Sequence, residues 1–405
     1  MGGILGIRAF GRGWRVAAFM RYGLLALQNR GSGGVRLATL GQEFRESSAG
    51  SADRLEDPPG EAGVGAVLSG HDSWFHVSEG LAVAGDGRPD EGWQRFSDSL
   101  YEALRSRDPA GAVADLVAGA GGRYSFVALS REGFLVAGRD AAGSLPLEVG
   151  SMGFDMGAVA SESAALEVMG FEHVASLRPG EVMLMGPMEV ERRRAGARDP
   201  SACSFEYVYY ARHDSVVDGV PVYSVRERLG EVLAEEAPAE ADVVIGVPET
   251  SLPVAAGYSR RSGIPLAFGF VSSVGRIRTA GLASPLERLA GVQLKLNVIG
   301  SSVEGRDVVL VDDSVVRGTT LRNVVWNMKR KGARRVHVRI GSPPLVGGCP
   351  LGRVPPRDEL ISSGAPEDAI AAVVGADSLR FLSLEGLLRA LGRRGLCTAC
   401  WGGGH

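Results

Sequence analysis

The chain lacks any long apolar run. Nothing in its 405 residues approaches the roughly 20 consecutive apolar positions that a membrane-spanning helix needs. Arg8, Arg12 and Arg15 interrupt the N-terminal stretch, so the unbroken apolar core of a signal peptide is missing too. Gly2 by itself suggests N-myristoylation, but the position that should carry Ser or Thr is Gly6. Neither sign of charge is in excess. With 44 basic and 47 acidic residues the formal net charge is −3, and no basic block is present that could track a nucleic-acid backbone or an anionic membrane. These absences argue against a nucleic-acid or membrane partner, and a cytoplasmic protein is expected. Cysteine is scarce, with only Cys203, Cys349, Cys397 and Cys400; in a reducing compartment such residues are more often buried thiols or metal ligands than disulfides. Core-forming material is not scarce: 45% of the residues are hydrophobic, ample for two cores in a chain of two-domain length.

The most informative stretch is 305–321. Val308, Val309, Leu310 and Val311 form an apolar run rich in β-branched residues, of the kind found in buried parallel strands, and Asp312 and Asp313 end it. A turn of small residues follows, and then Leu321, Val324, Val325 and Met328 recur at helical spacing. Two carboxylates at a strand end can accept hydrogen bonds from vicinal hydroxyls or help to hold magnesium. The N–H groups of Gly318, Thr319 and Thr320 at a helix start suit a phosphate. Ser314, Thr319 and Thr320 add hydroxyl donors. For a lone Asp-Asp, an ordinary strand-to-helix turn with Thr319 or Thr320 as N-cap would be a sufficient reading.

The stretch is longer than that. Residues 309–320, Val-Leu-Val-Asp-Asp-Ser-Val-Val-Arg-Gly-Thr-Thr, closely resemble the phosphoribosyl-pyrophosphate (PRPP) signature of type I phosphoribosyltransferases, in the form used by glutamine PRPP amidotransferases. The resemblance covers nearly the whole chain. It implies an α+β domain over 1–195, with stacked β-sheets between helices as in N-terminal-nucleophile hydrolases. An α/β type I phosphoribosyltransferase domain with a doubly wound parallel sheet is implied over 196–383, and a C-terminal helix and cysteine-containing tail over 384–405.

The first part carries the family's frame without its chemistry. Gly3-Ile4-Leu5-Gly6-Ile7, a helical pattern (Val16, Phe19, Met20, Leu24, Leu25, Leu27) and Leu27-Gln28-Asn29-Arg30-Gly31 resemble the start of the family's glutaminase domain. There a catalytic cysteine is exposed by processing; here Gly2 holds its place. A glycine offers no thiolate to attack a glutamine amide, and the first cysteine is Cys203, so glutaminase activity is expected to be absent. Two further parts of that site are missing. Gly65-Ala66-Val67-Leu68 falls where the family has Gly-His-x-Arg-Tyr-Ser-Thr, and Ala84-Gly85-Asp86-Gly87 where it has His-Asn-Gly-Asn. The segment 41–63, rich in Ser, Glu, Gly and Pro, reads as a loop. Gly122-Arg123-Tyr124-Ser125-Phe126-Val127, Arg139-Asp140, Ala160-Ser161-Glu162-Ser163 and Pro179-Gly180-Glu181 match later strands and turns and read as structural.

From Cys203-Ser204-Phe205-Glu206-Tyr207 to Asp214-Ser215 the resemblance is close again, with His213 where the family usually has proline. A helix with Val222, Val225, Leu229, Val232 and Leu233 on one face, a strand at 242–247, a helix at 254–261 and a strand at 266–271 complete a doubly wound pattern, whose ligands bind outside the carboxyl ends of the strands. The turn Pro248-Glu249-Thr250-Ser251 occupies the family's pyrophosphate loop. The resemblance implies PRPP contacts from Glu249, Thr250, Asp312, Asp313, Ser314, Arg317, Gly318, Thr319 and Thr320, with Ser251, Asp312 and Asp313 near magnesium. The family's flexible loop, Lys-Asn-Arg-Tyr-Val-Gly-Arg-Thr, is largely altered: Ser272, Ser273, Val274 and Gly275 take the first four positions, and Arg278-Thr279 the last two. Arg278 is the PRPP contact that remains there, and Arg276 can partly compensate. Each lost cationic hydrogen bond to pyrophosphate would remove roughly 1.5–3 kcal/mol.

Spacing alone leaves the cysteines open between inert thiols and a zinc site built on Cys397-x-x-Cys400. One subgroup of the family binds a four-iron, four-sulfur cluster through cysteines in the same four contexts, which implies Cys203, Cys349, Cys397 and Cys400 as ligands of such a cluster. Cys349 is followed by Pro350-Leu351-Gly352, and Val354 stands at a family aspartate. The expected function is that of a purine-biosynthetic amidophosphoribosyltransferase homologue. It would bind PRPP and magnesium and form 5-phosphoribosylamine from ammonia, free or delivered by another protein. A PRPP- or nucleotide-sensing paralogue, and a phosphoribosyltransferase for another nucleophile, are the alternatives. A homo-oligomer is implied by the family.

Overall fold

A computed structural model of the protein describes residues 2–70, 72–187, 189–194, 196, 198–271 and 296–404. The expected loop contacts at 272–279, Arg278 among them, therefore lie outside the described residues.

The N-terminal part is built on two stacked antiparallel sheets. The first has seven strands in the order Glu172–Ser176, Glu148–Met152, Met156–Ala160, Gly3–Ala9, Ala62–Val67, Val35–Leu40 and Phe44–Ala49. The second has six, in the order Val190–Arg194, Glu181–Met185, Leu135–Arg139, Gly122–Ser130, Leu81–Pro89 and Ser73–Val77. Ile4, Val64, Ala84, Val127, Leu135 and Val159 meet between the sheets. Helix Val16–Ala26 covers the outer face of the first sheet, and helices Trp93–Leu104 and Pro109–Gly119 cover that of the second. Central strands are thus buried on both faces, which is why they read as continuous apolar runs and not as alternating ones. Gly65 lets the first helix lie close: a Cβ there would stand 2.9 Å from Leu24 Cδ1.

The loop expected over 41–63 is not what forms. Phe44–Ala49 is a strand that pairs in antiparallel register with Val35–Leu40, and a short 3-10 turn, Ala52–Arg54, follows. Phe44–Ala49 is the sheet's edge, largely exposed, so its Arg45, Glu46 and Ser48 carry no apolar signal although the backbone ladder is complete.

The C-terminal part has a four-stranded parallel sheet in the order Val243–Gly246, Asp307–Asp312, Arg335–Ile340 and Ser378–Phe381. Successive side chains of the second strand serve opposite faces. Val309 and Val311 pack with helices Val222–Glu236 and Leu252–Ser262, while Val308 and Leu310 pack with helices Thr319–Arg330 and Glu367–Val374. The strand expected at 266–271 is only partly realised. Leu266 makes a single parallel bridge to Val244, after which the chain leaves the sheet and Phe270–Val271 pairs with Asn297–Val298. The tail returns to the start of this part: helix Leu384–Leu391 packs on helix Val222–Glu236, and Leu396–Cys397 pairs in parallel with Ala202–Cys203. None of the described helices is long and apolar enough to cross a membrane.

The two parts are joined by buried ion pairs. Arg30 Nη1 lies 2.8 Å from Glu162 Oε1, and Arg30 Nη2 lies 2.7 Å from Glu206 Oε1, with all three side chains sealed from solvent. Arg139 pairs with Asp218 at 2.6 Å. Breaking a buried pair by removing one partner strands the other charge and typically costs about 3–5 kcal/mol. Arg30→Leu is therefore expected to lower the unfolding free energy by about that amount, read as a shift in the chemical-denaturation midpoint, whereas Arg260→Leu, whose pairing to Glu231 is exposed, should leave the midpoint nearly unchanged.

Candidate functional site

Strand Asp307–Asp312 ends at the floor of a cavity of about 1010 Å³. The turn at 247–250, the segment 312–321 and the aromatic side chains of Phe205, Tyr209 and Tyr210 wall it. This is the carboxyl end of the parallel sheet, where open α/β folds bind ligands.

The acidic pair is internally organised. Asp313 is buried and accepts the Thr250 hydroxyl on Oδ1 and the Ser314 hydroxyl, at 2.8 Å, on Oδ2. The Asp313 amide donates to Asp312 Oδ1 at 3.0 Å. Burial, reinforced by the charge of Asp313, holds the Asp312 carboxyl well above the ordinary carboxylate range. Burial also raises the Asp313 carboxyl, against the opposing pull of its hydroxyl donors and of Arg226. Two crowded carboxyls that resist joint ionisation form a site that a cation or a set of hydroxyl donors would relieve.

Helix Thr319–Arg330 starts at the same cavity, with residues 318–320 on its wall. Its N-cap is Gly318, at φ 72°, and no side chain caps it, so neither Thr319 nor Thr320 takes the capping role that a bland reading of the turn would give it. The first-turn N–H groups remain available for an anion, and the helix dipole favours one there. Glu249, Thr250, Asp312, Asp313, Ser314, Arg317, Gly318, Thr319 and Thr320 all line this one cavity. Arg317 is ion-paired to Glu359. Ser251 is the member left out: it is fully buried, donates its hydroxyl to the Val247 carbonyl and does not line the cavity. Thr250, one residue earlier, is the hydroxyl that reaches the acidic pair.

Residue 2 lies at the opposite side of the domain boundary. The Gly2 amide donates to Asp86 Oδ1 at 2.8 Å, and a Cβ at Gly2 would stand 2.8 Å from Ser73 Cβ. The space next to position 2 is thus filled. Asp86 in turn receives Arg353 Nη2 at 3.0 and 3.1 Å. Sequence reasoning gave neither Asp86 nor Arg353 a role in such a pair, and no local motif links the two positions.

The four cysteines converge. Cys203, Cys349, Cys397 and Cys400 line one small cavity together with Phe205, Tyr210 and Arg353, although no three His, Cys, Asp or Glu side chains among the described residues come close enough to grip a single metal ion. Cys203 and Cys397 are register partners in the short parallel ladder. Burial pushes the Cys203 thiol up to about 12, and burial raises Cys400 as well, with the other three thiols adding to the effect on Cys400. Four thiols that share one small, largely apolar cavity have the chemistry of a soft-metal ligand set.

Comparison with known proteins gives a consistent picture. A family model described as phosphoribosyl transferase domain matches residues 221–340. The chain is 34% identical to the amidophosphoribosyltransferase of Methanothermobacter thermautotrophicus, a match covering 100% of the chain and 94% of that relative. It is 40% identical to that of Bacillus subtilis over 70% of the chain, but this match spans only 60% of the relative's length. Among solved structures, the glutamine PRPP amidotransferase from B. subtilis complexed with ADP and GMP superimposes with a TM-score of 0.85 at 31% identity, covering 98% of this chain and 96% of that one. A structure described as the allosteric regulatory enzyme of purine biosynthesis gives 0.81 at 31% identity, over 98% and 95% of the two chains.

The acidic pair generates a pH prediction. A divalent cation held at this pair would need both carboxyls ionised, and both are raised. Affinity is expected to be full above their raised pKa values and to fall as pH drops through them, with protons released on binding. Calorimetry of magnesium with PRPP, repeated across pH and in buffers of different ionisation enthalpy, measures both.

Proposed function

The chain belongs to the amidophosphoribosyltransferase family, and we propose that it is a family member of purine biosynthesis that binds PRPP with magnesium and makes 5-phosphoribosylamine from ammonia it does not itself release from glutamine. The observation that carries this reading is the convergence of the acidic pair, the 249–250 turn and the start of helix Thr319–Arg330 on one large cavity.

The division of labour follows from the chemistry of each group. Asp313, fixed by Thr250 and Ser314, and Asp312 beside it would accept the vicinal hydroxyls of the ribose and, through them or a water shell, hold magnesium. Magnesium would neutralise charge on the departing pyrophosphate. The N–H groups of residues 318–320 and the hydroxyls of Thr319 and Thr320 would hold the 5-phosphate, and Glu249 and Thr250 would lie along the pyrophosphate. Arg317 would exchange Glu359 for a phosphate oxygen. Ser251 has no part in this scheme, because its hydroxyl is spent on the Val247 carbonyl. No protein nucleophile is needed: the residues fix the sugar's reactive carbon in line with ammonia and stabilise the charge that develops.

Glutaminase chemistry has no apparatus in this reading. Position 2 has neither a thiol nor room for one, and Asp86 is committed to the Gly2 amide and to Arg353. The four-cysteine cavity would hold a four-iron, four-sulfur cluster. The support for this is that all four thiols line one small cavity. Such a group would tie the tail at 397–400 to Cys203 and Cys349, and its contribution would be structural.

Incubating the cluster-intact protein with PRPP, magnesium and ammonium is expected to release pyrophosphate, and replacing ammonium by glutamine is expected to release none. PRPP bound without release would instead make the protein a sensor, and release stimulated by another amine or base but not by ammonium would name a different acceptor. Asp313→Asn should weaken PRPP binding by roughly ten- to a hundredfold, in line with about 1.5–3 kcal/mol for a hydrogen bond to a charged group. Gly2→Cys should not restore glutamine-dependent turnover.

A further inference from the structure

Arg353 is used by none of the chemistry above, yet it lines both the large cavity and the four-cysteine one. Its side chain is only 2% exposed. Nη2 donates to both oxygens of Asp86, at 3.0 and 3.1 Å, and Nη1 lies 4.0 Å from Glu206 Oε1, an ion-pair distance but no hydrogen bond. Nε and Nη1 are buried and find no hydrogen-bond partner among the described residues. Leaving a buried donor unsatisfied typically costs about 1–3 kcal/mol, more when the group is charged, so such an arrangement calls for an acceptor. Arginine has five N–H donors in a fixed fork, and here only the Nη2 branch is engaged.

The surroundings indicate which acceptor. Arg353 lines the same small cavity as Cys203, Cys349, Cys397 and Cys400. An iron-sulfur group bound by four thiolates carries net negative charge into an apolar enclosure, and charge in such a place needs a partner. Hydrogen bonds to the sulfurs and net local charge are among the levers that set the stability and potential of these groups. Among the residues lining the cavity, Arg123 is the other cation, and its Nη1 and Nη2 already donate to Ser201 Oγ, both at 3.3 Å.

We propose that Arg353 is a positioning residue for the group held by the four cysteines, donating through Nε and Nη1 to its sulfurs, while Asp86 of the N-terminal domain anchors the guanidinium. This rests on the four-cysteine cluster proposed above. It also gives the remodelled pocket at Gly2 and Asp86 a purpose of its own, since the domain that has lost its nucleophile supplies the anchor of the cation that faces the cluster.

The test uses the full chain purified without oxygen, and compares it with Arg353→Met, Arg353→Lys and Asp86→Asn. Iron and sulfide content, the electron paramagnetic resonance spectrum of the reduced protein, the midpoint potential and the rate of iron loss to a chelator are read for each. Arg353→Met is expected to lower the potential, alter the spectrum and speed iron loss several-fold. Arg353→Lys should recover part of each change, and Asp86→Asn should shift them in the same direction as Arg353→Met, to a smaller extent. A cluster with unchanged potential, spectrum and release rate in Arg353→Met and Asp86→Asn overturns the role of Arg353 while leaving the cluster intact. Absence of iron and sulfide from the anaerobically purified parent protein, by contrast, overturns the cluster itself. If Arg353→Met does not fold, Arg353→Lys and Asp86→Asn carry the same comparison.

Discussion

A line of alternating buried charges, Glu162, Arg30, Glu206, Arg353 and Asp86, runs through the contact between the two halves of this protein. Each member would be costly alone, and each is tolerable because the next one has the opposite sign. Glu162 and Arg30 belong to the sheet sandwich, Glu206 to the segment that enters the transferase half, and Arg353 to the loop after Cys349. Glu162 also receives the Arg212 amide and the Ser215 hydroxyl, both at 2.8 Å, so the first turn of the transferase half is fastened to the same line. The halves cannot separate without exposing or stranding these groups. That constraint bears on where the aromatic wall of the large cavity stands, because Phe205, Tyr209 and Tyr210 lie within four positions of Glu206 in the same segment.

The large cavity depends on a different constraint, the end of a strand buried on both faces. Val308, Val309, Leu310 and Val311 have no exposure at all, and the sheet gives them no freedom to shift register. The first residues free of that packing are Asp312 and Asp313, which therefore emerge at a fixed height with their carboxyls crowded together. Thr250 and Ser314 take up two lone pairs of Asp313 and leave Asp312 with less support. The pair is thus held asymmetrically: two side-chain hydroxyls orient Asp313, whereas Asp312 accepts the Asp313 amide on Oδ1.

How much of this was legible depended on whether a feature's cause is local. The strand at 308–311 and the helix carrying Leu321, Val324, Val325 and Met328 were legible because both faces of one and one face of the other are buried, and burial writes itself into residue type. Phe44–Ala49 was misread because an edge strand owes its existence to backbone pairing with Val35–Leu40, and its exposed side chains carry no apolar signal. The strand over 266–271 was overread for the converse reason: its residues suit a strand, but only Leu266 bridges Val244, and the chain then pairs Phe270–Val271 with Asn297–Val298 outside the parallel sheet. Ser251 has the residue type of a ligand contact, and only the coordinates reveal a hydroxyl turned inward to Val247. Asp86 and Arg353 are 267 positions apart, beyond the reach of any motif.

The cysteine set marks the border between these cases. The local spacing 397–400 is compatible with a zinc pair or with inert thiols, and nothing local selects between them. What changes the balance is the return of the tail: the two-residue ladder that sets Cys397 opposite Cys203 brings the C-terminal pair to the start of the transferase half, and the loop at 345–354 completes the enclosure with Cys349 and Arg353. A short ladder of this kind closes a loop of nearly two hundred residues and has little of its own to offset that entropy. Side chains alone supply part of the compensation, with Trp401 stacked on Phe205 at 4.9 Å and donating to the Ser204 hydroxyl at 3.0 Å. A group bonded to four thiolates, as proposed above, would add to that compensation.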